Sequence, residues 1–95
     1  MVLLTYVPTT GNPNTVVLRE ARSAYLWMRQ GAAILSNRFG DEDVRVVNMH
    51  RVANILLNAI GEYEHDVIPE SELDRIYRQT SVAFMAPIRR GRSGG

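Results

Sequence analysis

The chain has 95 residues, a formal net charge of +1 and no cysteine. That length suits one domain, and a domain so small exposes enough surface that it must pack well or associate. Without thiols there is no disulfide, thiolate nucleophile or cysteine zinc site, and no apolar run approaches the ~20 residues of a membrane span.

Residues 1–14 carry no charged side chain. Val2-Leu3-Leu4-Thr5-Tyr6-Val7 is β-branched or apolar and predicts a short strand or extended arm, and Pro8 to Asn14 is a breaker segment. Met1 to Leu4 has no basic lead and no long hydrophobic stretch, so it does not read as a secretion signal; an intracellular, cytoplasmic protein is expected.

Asn14 or Thr15 can cap a first helix running to about Asn37. Leu18, Ala21, Tyr25, Met28, Ala32, Leu35 and Phe39 alternate spacings of three and four, which is the seam of a helix seeking a partner helix. Arg22 and Arg29 fall about 80–100° from the seam centre, with Arg19 further round on the same side. Val16, Trp27 and Ile34 form a second apolar strip, which predicts a contact with a third helix or a second subunit. Gly31 sits beside Ala32 and Ala33, so close approach of another backbone is expected there.

Gly40 is placed to stop this helix and Asp41 to cap the next. Val46, Met49, Ala53, Leu56, Ile60 and Tyr63 repeat the alternation, so two matching seams joined by a short turn predict an antiparallel helical hairpin. The other side of helix 2 carries Asn48, Arg51, Asn54 and Asn58, a solvated face or a polar reading surface. Ile68-Pro69 then opens a short third helix to about Gln79, and Pro87 breaks the apolar stretch after it. Residues 81–95, ending in Arg89-Arg90-Gly91-Arg92-Ser93-Gly94-Gly95, read as an extended or disordered basic tail.

Charge is segregated. Residues 15–39 hold four arginines against Glu20, and residues 61–80 hold six carboxylates against Arg75 and Arg78. All eleven basic residues are arginine, whose planar fork suits phosphate and carboxylate, although coding bias gives the same composition. Glu62, Glu64, His65 and Asp66 form the densest set of potential metal ligands, but neighbours on a helix end diverge and no second set supports them, so a solvated acidic loop is expected. His50, at the seam edge, reads as an interface histidine. No phosphate loop, nucleophile motif or paired carboxylates appear, so neither an enzyme, a cofactor nor a metal is expected.

Regularly spaced arginines on a long helix can follow a nucleic-acid backbone, and duplex RNA is bound through shape, phosphates and 2′-hydroxyls. A helical hairpin over about residues 15–63, doubled by a two-fold axis, resembles in architecture the nodavirus B2 proteins, small helical dimers that bind double-stranded RNA and suppress RNA silencing. The resemblance is architectural, with no motif matched residue by residue. It implies a viral, non-enzymatic RNA-binding homodimer.

The expectation is therefore an all-α domain over 15–80, flanked by an arm at 1–14 and a tail at 81–95. Arg19, Arg22, Arg29, Arg51 and Asn54 are the candidate nucleic-acid contacts, and Val16, Trp27 and Ile34 the candidate dimer interface. The alternative is a protein–protein adaptor whose arginines, Arg19 and Arg22 first, pair with acids of the third segment.

Overall fold

The computed structural model describes the backbone of residues 13–93 and the side chains of residues 13–86. The expected strand and most of the arm at 1–14 lie outside the described residues, as does the end of the tail. Among the described residues the fold is all-helical: α1 (Val16–Phe39), α2 (Val44–Glu64) and α3 (Glu70–Ser93), each packed against the other two.

Helix α1 begins where Thr15 turns from extended backbone and its hydroxyl accepts the Leu18 amide at 3.2 Å. It ends at Gly40, whose φ of 95° suits glycine and whose N–H bonds the Ser36 carbonyl. The cap of α2 is Asp43, two residues later than the expected Asp41. Asp43 accepts the Arg45 amide and guanidinium, both at 2.9 Å. Asp41 instead accepts a hydrogen bond from the Ser36 hydroxyl and ties the turn to α1. The Arg45 guanidinium holds the Asp43 carboxyl down to about 2. A depressed carboxylate stabilises the fold above its unfolded pKa, and that contribution is lost as pH falls through about 4 toward 2.

The expected seams are the core. Leu18, Ala21, Met28 and Ala32 of α1 meet Val46, Met49, Ala53, Leu56, Ala59, Ile60 and Tyr63 of α2, all buried. The alanines let the helix axes approach, while the larger side chains fill the space between them. Phe39, the last residue of the α1 seam, stays exposed under Arg45, whose guanidinium lies 4.0 Å from the ring centroid. Polar contacts join successive levels of the two helices: Tyr63 Oη lies 3.5 Å from Thr15 Oγ1, Arg22 pairs with Glu64, and Arg29 meets His50. Helix α2 continues through Gly61 and closes at His65.

The third helix corrects the reading of a short segment ending near Gln79. It spans 24 residues and passes Pro87, so residues 81–93, expected to be extended, are helical. Leu73, Thr80 and Phe84 supply its buried side, with Ile76, Tyr77 and Met85 packed beside them. Thr80 joins this apolar row at little cost because its hydroxyl lies 2.8 Å from the Ile76 carbonyl and 3.1 Å from that of Tyr77. Burial of Phe84 is worth about 1.5–3 kcal/mol and offsets part of the ~3 kcal/mol cost of an interior proline one turn on.

Gly31 does permit a close approach, but of a ring rather than a backbone. A Cβ there would stand 3.2 Å from Cζ of Phe84. Phe84 fills that notch and meets Trp27 with ring centroids 5.3 Å apart and planes tilted by 56°.

Candidate functional site

Helix α1 presents two flanks beside its buried seam. On the α2 flank, Arg22 donates to the Glu64 carboxylate at the end of α2. Seven residues on, about 10 Å along the axis, Arg29 Nη1 lies 3.1 Å from Nδ1 of His50. Asn54 is exposed one turn beyond His50 on α2. Arg51 is exposed on the outer side of α2 and makes no ion pair among the described residues.

Arg19 departs from this group. It lines an open groove between α1 and α3 with Val16, Glu20, Trp27, Tyr77 and Ser81, about 680 Å³ in volume. The five candidate contacts thus divide: Arg22, Arg29 and Asn54 share the α1–α2 side, Arg51 lies on the outer ridge, and Arg19 borders the opposite groove. An α-helix turns about 60° backward over three residues and 20° over seven. That small difference puts Arg19 nearer the α3 groove and keeps Arg22 in line with Arg29.

The pairing of Arg19 and Arg22 with acids of the third segment, the example offered by the alternative reading, does not form among the described residues. Glu64 takes Arg22, while Glu72 pairs with Arg75 and Asp74 with Arg78 within α3 itself. The Asp74 carboxylate raises the Arg78 pKa, and Glu20 across on α1 adds to the effect. No sequence signal identified Glu64 as Arg22's partner, since the two stand 42 positions apart.

The second apolar strip keeps most of its exposure. Val16 is 58 %, Trp27 50 % and Ile34 66 % exposed, although Phe84 covers one side of Trp27. Trp27, Gly31, Ile34, Leu35, Met49 and Phe84 line a second groove of about 450 Å³, with Trp27 lining both.

The acidic cluster disperses: Glu64 turns to Arg22, and the His65 ring N–H donates to the Gly61 carbonyl at 2.8 Å. Among the described residues no three histidine or carboxylate side chains gather to hold a metal ion. No helix among them is long and apolar enough to cross a membrane. Comparison of the chain with protein-family models, curated proteins and solved structures gave no match.

Proposed function

We propose that the protein is a non-enzymatic nucleic-acid-binding protein that engages duplex RNA along the α1–α2 side of an antiparallel hairpin, working as a homodimer. The observation that carries this reading is the Arg22–Arg29 pair. Two exposed guanidiniums stand one above the other on one helix, with Asn54 beside them and α3 on the other side of the hairpin. Such spacing suits phosphates along one groove of a duplex, where positioning needs no base reading. Arg19 contributes from the margin and Arg51 from the outer ridge. The exposed Val16–Trp27–Ile34 strip supports pairing of two copies, which doubles the arginine set.

A second reading is a protein–protein adaptor. It is favoured by the Arg22–Glu64 pair, which already occupies one arginine, and by the open apolar groove.

An electrophoretic assay with duplex RNA at low salt separates the two. With Arg22 and Arg29 of two subunits all on phosphates there are four contacts, and the slope of log affinity against log salt should then reach about −3 to −3.5. Replacing both with Gln should weaken binding for every sequence and flatten the slope, with helicity unchanged. If the protein retards neither duplex RNA nor duplex DNA, the adaptor reading replaces this one.

A further inference from the structure

Arg29 meets a histidine on this surface. A guanidinium has donors only, so at 3.1 Å the Nδ1 of His50 must accept, which leaves the ring neutral with its proton on Nε2. We infer that His50 gates the nucleic-acid surface: neutral, it holds Arg29 down, and protonated, it releases Arg29 to a phosphate. Resting on the nucleic-acid reading above, this assigns that surface a regulation.

Protonation turns the acceptor into a donor and sets two positive charges face to face, so the contact cannot persist. The surroundings leave no other resolution. From α1, Arg29 is the charged group in contact; on α2 the adjacent charge is Arg51, and Val46, Val47, Ala53 and Asn54 within a turn are not ionisable. Helix α3 packs on the other side of α2, where Val52 and Ile55 meet Ile76 and Ala83. Along the same flank Asp43, seven residues before His50, is held by Arg45, and Glu64, fourteen after it, by Arg22; no carboxylate pairs with His50 among the described residues. Both positive groups then turn outward, to the position a phosphate would occupy.

The chain has two histidines, so the gate can be isolated. Duplex-RNA affinity is measured against salt at pH 8 and pH 5.5, a range that spans histidine titration. The wild-type slope should steepen in acid by about 0.7–0.9 for each positive group, Arg29 or the protonated His50, that reaches a phosphate. His50→Gln offers Arg29 an acceptor that does not titrate and should hold one slope at both pH values; His65→Gln should behave as wild type. Independently of RNA, nitrogen NMR at pH 8 should find the His50 proton on Nε2, with Arg29→Gln relaxing that preference. The gate is overturned if His50→Gln keeps the wild-type pH response, or if Nδ1 carries the proton at pH 8. Duplex binding at both pH values without steepening also removes the gate and leaves the nucleic-acid reading standing. No duplex binding at either pH removes both.

Discussion

The two flanks of α1 are held by different physics. Toward α3, an aromatic ring enters the notch at Gly31 and is buried against Trp27; toward α2, an ion pair and an arginine–histidine contact bridge the exposed edge of the core. Removing apolar surface from water stabilises in proportion to area, whereas exposed charges exchange one set of polar contacts for another at little net gain. One flank therefore carries stability, and the other is free to change partners without unfolding the bundle. A surface meant to give up internal contacts for a ligand belongs on the second.

The strongest way to break that contrast is Phe84→Ala. It should cost about 3–5 kcal/mol in denaturant unfolding, as large aromatic truncations do. Trp27 is the single tryptophan, so its emission should shift to the red as its cover is lost. A loss below ~1 kcal/mol would mean that α3 does not hold this flank.

Gly31→Leu tests the same flank by overpacking, since even a Cβ stands 3.2 Å from Phe84. A cost of about 1–3 kcal/mol is expected. Gly31→Ala should be much milder, because its helix-propensity gain of about 1 kcal/mol offsets a small displacement of the ring tip. Equal effects of the two variants would show that the notch is not filled.

The smallest effect belongs to the polar flank. Arg22→Gln removes the pair with Glu64 and should change stability by no more than about 1 kcal/mol, measured by thermal unfolding at moderate salt. A larger loss would make the Arg22–Glu64 pair structural and leave Arg22 unavailable to a ligand.

Much of this architecture is legible in the amino-acid sequence. The α2 seam from Val46 to Tyr63 is buried as read, and the α1 seam is buried or half-buried except at Phe39, the last residue of its helix. The length of α3 was missed because Thr80 interrupts the row of Leu73, Ile76, Tyr77 and Phe84 with a polar group, and Pro87 follows as a stop signal. A threonine whose hydroxyl turns back on its own helix is apolar in effect, and only geometry reveals that. The arginines were found by spacing, but their partners were not. Glu64 and His50 reach them through the register of two helices, which periodicity within either helix does not specify. The division of Arg19 from Arg22 was hidden for the same reason: which of the two borders the α3 groove depends on where α3 docks.

Thr15 has a consequence of its own. One hydroxyl oxygen accepts the Leu18 amide at the start of α1 and lies 3.5 Å from the Tyr63 phenol in the last turn of α2. The first turn of one helix and the last turn of another thus share an atom, though 48 positions of chain separate them. Fraying of either end removes a polar neighbour of the other, so amide exchange at the two ends should show correlated opening.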